Sequence, residues 1–183
     1  LDGYGRTQEQ VLAGLEGGGG HSGHQMGDGT GSPGGMGSMM GGLNGDVTYP
    51  LHVINGRGPT ERQTVDAKPG QRVRMRFINA GSDTAYRVAV GGHRMTVTHA
   101  DGFPVEPVEV DNVVLGMGER YDVIVTAASG AFPIVAAPEG KDDPAGEAVL
   151  RTSKTAAAPT TGSRPNELKG KQKAALEEHR EAV

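Results

Sequence analysis

The middle of the chain alternates. Arg72-Val73-Arg74-Met75-Arg76-Phe77 puts Val73, Met75 and Phe77 on one side and three arginines on the other, the period-two pattern of a strand with one buried face. Tyr86-Arg87-Val88-Ala89-Val90 repeats the pattern, and Tyr121-Asp122-Val123-Ile124-Val125 does so more weakly. Turn formers separate the runs: Pro69-Gly70, Gly91-Gly92, Asp101-Gly102 and Gly116 to Gly118. The pattern predicts strands near 48–54, 62–66, 72–79, 85–90, 93–99, 107–114, 120–127, 131–137 and 146–152. Short strands at this spacing, with no helical period between them, predict an all-β antiparallel sandwich or barrel.

The flanks read differently. Residues 1–45 hold 17 of the 31 glycines. Thr7 and Gln10 have the spacing of a capping box, and Val11, Leu12 and Leu15 share a face, so a short helix is expected before Gly17 to Gly20 end it. The remainder to Gly45 is rich in Gly, Ser, His and Met. It offers too little apolar surface to offset its ordering entropy and is expected to be a flexible loop. Residues 153–183 begin as an Ala/Thr/Pro/Ser linker and continue as a charged, weakly amphipathic helix from about Asn166 to Ala182. Three regions are therefore expected: a linker with helix and loop over 1–45, a β-sandwich over 46–152, and a linker with helix over 153–183.

Composition narrows the chemistry. Only 35% of the residues are hydrophobic and 4% aromatic, so the core must concentrate in the middle region. The net charge is −4 and no basic block stands out, which argues against nucleic acid or an anionic membrane surface as partner. No apolar run approaches the roughly 18 residues that span a bilayer, and no charged segment followed by an apolar stretch opens the chain as in a signal peptide. The absence of Cys removes disulfides, zinc–thiolate sites, a thiol nucleophile and the thiolate that a blue-copper site requires.

Candidate chemical groups are few. His93 and His99 fall on one face of an expected strand, six residues and roughly 20 Å apart, too far to share a metal. His52, His93 and His99 read as hydrogen-bonded or partly exposed sheet residues. Asp101, Glu106, Glu109, Asp111, Glu119 and Asp122 gather near turns and read as a solvated rim, with Arg120 and Asp122 available for charge-assisted hydrogen bonds. No Ser-His-Asp arrangement or phosphate loop is visible, and Gly116-Met117-Gly118 leads into no helix, so it is no nucleotide fingerprint. The glycine-rich loop carries His21, His24, Met26, Met36, Met39 and Met40. Imidazole and thioether donors suit monovalent copper, so the loop is either a weak auxiliary copper site or an inert connector.

Taken in order, the middle motifs resemble the middle domain of three-domain multicopper oxidases, the laccase-like family. Leu51-His52-Val53-Ile54-Asn55-Gly56-Arg57 resembles the family's strand ending in Asn-Gly-Arg. Pro69-Gly70-Gln71-Arg72-Val73-Arg74-Met75-Arg76-Phe77-Ile78-Asn79-Ala80 resembles its turn and arginine-laced strand. Gly92-His93-Arg94-Met95-Thr96-Val97, Ala100-Asp101-Gly102 and Pro107-Val108 continue the likeness, and Gly118-Glu119-Arg120-Tyr121-Asp122-Val123 matches a Gly-Glu-Arg-Tyr-Asp element. The resemblance spans residues 46–152 and implies a cupredoxin-like Greek-key β-sandwich. It implies a parent enzyme that takes single electrons from a substrate and reduces oxygen to water, exported from the cytoplasm. In that family a blue copper passes electrons through a His-Cys-His segment to a three-copper cluster held also by His-x-His pairs. This chain has no Cys and no His-x-His, so none of those ligands can be placed on it. The role implied is a copper-free middle domain, inactive alone, that spaces the first and third cupredoxin domains of the same polypeptide. A copper-binding or copper-buffering module acting through the loop is the alternative. An independent enzyme has no constellation to support it.

Overall fold

The computed structural model describes residues 9, 10, 49, 51–159, 162 and 165. Glu9 and Gln10 lie in a helix, within the stretch where one is expected. The remainder of the helix expected there, the expected Gly/His/Met loop and the helix expected from about Asn166 to Ala182 lie outside the described residues.

Among the described residues the regular structure is almost entirely strand: β1 (Gln63–Asp66), β2 (Arg72–Ile78), β3 (Tyr86–Val90), β4 (Met95–Ala100), β5 (Phe103–Val110), β6 (Val113–Leu115), β7 (Arg120–Thr126), β8 (Ala131–Pro138) and β9 (Gly146–Arg151). They form a five-stranded sheet, β1-β9-β8-β3-β6, and a four-stranded sheet, β2-β7-β4-β5. Pairing is antiparallel except for β1 on β9, which runs parallel. One apolar cluster lies between the sheets. Met75, Met95, Val97, Val123 and Val125 come from the four-stranded sheet, and Val88, Val90, Ile134, Ala148 and Leu150 from the five-stranded one. The result is a cupredoxin-like β-sandwich. Fully burying one such Val, Leu or Met side chain contributes about 1.5–3 kcal/mol.

The alternation in β2 holds as read: Arg72, Arg74 and Arg76 are exposed, Met75 is buried, and Val73 and Phe77 are half-buried. Two tight turns follow from residues that tolerate positive φ. Asn55 and Gly56 have φ of 50° and 74°, and Ile54 and Arg57 exchange backbone hydrogen bonds of 3.0 and 3.1 Å across them. Asp101 and Gly102 have φ of 47° and 92° and join β4 to β5 with Ala100 opposite Phe103. Both pairs have the chemistry of a two-residue hairpin turn.

Three expected strands differ. Residues 51–54 form no strand, only the isolated bridge of Ile54 to Arg57. The edge of β9 is already taken by β1, so this apolar run packs by side chain over the start of β9; a Cβ at Gly146 would lie 3.4 Å from Ile54 Cγ1. The strand expected at 107–114 is two strands. β5 begins at Phe103, immediately after the turn, and carries Pro104 and Pro107, which an edge strand tolerates. The chain then changes sheets at Asp111-Asn112 and becomes β6. The strand expected at 93–99 begins only at Met95 and carries a bulge between Val97 and His99. His93 and His99 therefore do not occupy one face of one regular strand, because the bulge breaks the two-residue period.

Candidate functional site

The segment before the Asn55-Gly56 turn seats His52, 4% exposed, between strands and loops far away in sequence. Its Nδ1 lies 2.7 Å from the Tyr86 hydroxyl at the start of β3. Its Nε2 lies 3.3 Å from Asp143 Oδ2 in the loop between β8 and β9. The carboxylate decides the tautomer: a bare Nε2 would face negative charge, so Nε2 carries the proton and donates, and Nδ1 accepts from Tyr86. The rings of Tyr49 and Tyr86 meet the imidazole edge-on, at centroid distances of 6.2 and 5.4 Å. Lys141 sits over Tyr49, 5.4 Å from its centroid, and donates to Asp83 at 2.9 Å and Thr84 at 3.1 Å. This polar cluster borders a cleft of about 640 Å³ that Val73, Met75, Phe77, Val88 and Ile134 also line. Asn79 closes another part of the wall. Its side-chain amide donates to the Thr84 and Leu115 carbonyls at 2.8 and 3.1 Å.

A second charged cluster lies on the outer face of the four-stranded sheet. Register places Arg76 opposite Asp122, with Arg74 two pairs along on the same face. Arg76 Nε donates to Asp122 Oδ1 at 2.8 Å, and Arg74 Nε donates to Oδ2 at 3.0 Å. The Arg76 hydrogen bond pulls the Asp122 carboxyl down from 3.8 to about 2; burial opposes this, and Arg74 adds to it. Asp122 is therefore buried rather than part of the solvated rim that the sequence suggests, and the charge-assisted hydrogen bonds expected of it are made with Arg74 and Arg76. Arg120 instead pairs with Asp101: the Arg120 backbone N–H donates to Asp101 Oδ1 at 2.9 Å and its guanidinium to the Asp101 carbonyl at 3.0 Å. The Gly-Glu-Arg-Tyr-Asp element is thus a set of fasteners. Gly118 turns the chain with φ 80°, Glu119 accepts from the Gly116 N–H at 2.6 Å, and Tyr121 fills the core at 3% exposure.

The other two described histidines, His93 and His99, make local hydrogen bonds. His93 Nδ1 contacts the Gly91 carbonyl at 2.7 Å, its Nε2 accepts from Ala128 N–H at 3.0 Å, and its ring stands edge-on to Phe132 at 4.4 Å. His99 Nδ1 lies 3.1 Å from the Thr98 hydroxyl. His21, His24, Met26, Met36, Met39 and Met40 all lie outside the described residues. No local pattern in the sequence points to the His52 cluster. Tyr86 and Asp143 stand 34 and 91 positions from His52, and no local spacing signals either contact.

Copper finds no fitting site among the described residues. No group of three or more His, Cys, Asp or Glu side chains is placed to hold a metal there, both nitrogens of His52 and of His93 are already engaged, and the sequence supplies no thiolate.

A profile of the multicopper oxidase family matches residues 34–155. The multicopper oxidase MmcO of Mycobacterium tuberculosis is 52% identical over 142 residues, covering 76% of this chain and 28% of that protein. A copper resistance protein A homolog of Pseudomonas syringae pv. tomato is 40% identical over 90 residues, 49% of this chain and 15% of its own length. Among solved structures, the blue copper oxidase of Nitrosomonas europaea superposes with a TM-score of 0.50 at 29% identity, over 57% of this chain and 35% of that one. The chain thus spans less than a third of the length of either relative.

Proposed function

Because the chain belongs to the multicopper oxidase family, we propose that it is the middle domain of a three-domain oxidase, holding the copper-bearing first and third domains in position. The observation that carries the reading is a mismatch. The sequence matches the family along most of its length, yet it contains neither a Cys nor a His-x-His pair to ligate the family's copper. Electron transfer then belongs to neighbouring domains of the parent polypeptide, which couples one-electron substrate oxidation to reduction of oxygen to water. On this reading residues 46–152 are the sandwich, and residues 1–45 and 153–183 lead to the first and third domains. Exposed apolar side chains at one end of the four-stranded sheet support a packing role: Ile78 is 57% exposed, Met117 54% and Phe103 63%. Export from the cytoplasm is part of the same proposal.

Extending the reading frame tests it. His-x-His pairs are expected upstream, and a His-Cys-His segment with a later Met downstream. A purified 183-residue chain that turns blue with copper and consumes dioxygen would overturn the assignment.

The second reading is a copper-buffering role for His21, His24, Met26, Met36, Met39 and Met40. It is favoured by the copper resistance protein among the relatives. Cuprous-ion titration of the chain, before and after changing all six to Ala, decides it: binding lost with the substitutions supports the module, and unchanged binding removes it.

A further inference from the structure

We propose that Tyr86, His52 and Asp143 form a proton-coupled redox relay, a place where a strong one-electron oxidant takes an electron from a phenol whose proton already has an acceptor. The Tyr86 hydroxyl meets His52 Nδ1 at 2.7 Å, and His52 Nε2 meets Asp143 Oδ2 at 3.3 Å. His52 is 4% exposed, so water competes little for either contact. Removing an electron from a tyrosine makes its hydroxyl strongly acidic, and the oxidation is easy only where that proton can move at once. Imidazole is suited to accept it, and a neighbouring carboxylate stabilises the imidazolium that forms.

The step balances simply. Tyr86 gives one electron to the oxidant and one proton to His52 Nδ1; no bond between heavy atoms forms or breaks. A neutral phenoxyl and an imidazolium facing Asp143 remain, and return of the electron reverses both transfers. The oxidant is a high-potential one-electron acceptor, a class that includes partly reduced oxygen species and photogenerated metal complexes. No copper in this chain is needed, so the relay stands apart from the reading above.

Two other described tyrosines are less suited. The Lys141 ammonium lies 5.4 Å from the Tyr49 ring centroid, and positive charge there opposes loss of an electron. Tyr121 is 3% exposed within β7. Tyr86 also borders the same cleft as Met75, whose thioether is oxidisable. A reversible phenol on the same cleft diverts an oxidising equivalent from a residue whose sulfoxide would disrupt the core.

The test uses the full 183-residue chain with Tyr4→Phe and Tyr49→Phe in place, photo-oxidised by ruthenium tris-bipyridine with persulfate, frozen and read by electron paramagnetic resonance. A neutral tyrosyl signal is expected, lost on adding Tyr86→Phe. The chain without further substitution should give a smaller yield in D2O than in H2O; His52→Gln keeps an acceptor for the hydroxyl but not a comparable base, so the yield should fall several-fold and that isotope dependence should disappear. Circular dichroism checks that each variant folds. If His52→Gln does not, Asp143→Asn, which leaves the Tyr86–His52 contact in place, should lower the yield instead. A full signal in the Tyr86→Phe variant overturns the relay. So does wild-type yield and isotope dependence in a folded His52→Gln or Asp143→Asn variant.

Discussion

Replacing Asp122 by Asn removes the negative charge held between Arg74 and Arg76 and leaves two guanidiniums, on alternate residues of β2, to face each other. The structure sets the size of the effect. The carboxyl is drawn from 3.8 to about 2, first by the Arg76 hydrogen bond. Holding the carboxyl that far down corresponds to roughly 2–3 kcal/mol at most. The Asp122 side chain is only 6% exposed, but those of Arg74 and Arg76 are 51% and 62% exposed, so solvent screens the pair. We therefore expect Asp122→Asn to cost about 1–2 kcal/mol at neutral pH, above the usual exposed ion pair and below the full shift. The pH sign follows from the direction. A carboxyl with a depressed folded-state value stabilises fully above its unfolded value of 3.8 and loses that contribution as pH falls toward about 2. Urea unfolding of both proteins, followed by tyrosine fluorescence because there is no Trp, should show the gap in midpoint closing across that window and shrinking in high salt. A gap equally wide at pH 2 and pH 7 would refute the argument, as would an undetectable gap at pH 7.

Four further outcomes are expected. Arg62→Ala leaves Glu147, 1% exposed, without the guanidinium 3.1 Å away, and should cost about 3 kcal/mol in urea unfolding, whereas a surface pair would cost almost nothing. Gly91→Ala brings a Cβ within 2.9 Å of the Pro133 ring and should cost about 1–3 kcal/mol through overpacking. Gly70→Ala, with φ +77° and open space around it, should cost only the backbone strain of about 1–2 kcal/mol, so crystal structures of the two variants should show displacement at Pro133 only in the first. Met95→Ala, at 0% exposure, should lower stability by about 2–5 kcal/mol, and a smaller loss would mean that the inter-sheet core collapses around the cavity.

Much of the sandwich was legible because its signal is local. A two-residue period and a Pro-Gly turn are written within a few positions, and Arg72 to Phe77 displays both a face and a register. The misread strands share one cause: pairing depends on what is already paired. Leu51 to Ile54 has the composition of a strand, yet β1 occupies the edge it would need. The change of sheet at Asp111-Asn112 and the bulge after Val97 are settled by closure of the sandwich, not by their own residues. Asp122 departs from the solvated rim expected of it for the same reason. Alternation put it on the solvent face, which is correct, but the arginines that cover it come from another strand. The His52 cluster was invisible because each contact crosses tens of residues, and neither Tyr86 nor Asp143 carries a local sign of its partner.

What identified the family and what the family does are therefore written in different residues. Gly118, Glu119, Arg120, Tyr121 and Asp122 fix respectively a turn, the loop before it, the β4–β5 turn, the core and the outer sheet face. Asn55-Gly56 and Asp101-Gly102 supply positive φ for two hairpins. Each has a mechanical reason to be the residue it is, and none has a free donor set aimed at a common point. On the proposed role, a sandwich that spaces other domains has to present fixed faces to them, and the same fasteners serve that need. Family membership thus follows from residues that maintain shape, whereas the absence of copper ligands has to be argued from residues the chain lacks. That separation is why the proposed middle-domain role rests on the missing Cys and His-x-His pair, and why sequence beyond these 183 residues, rather than closer inspection of the matching motifs, is what tests it.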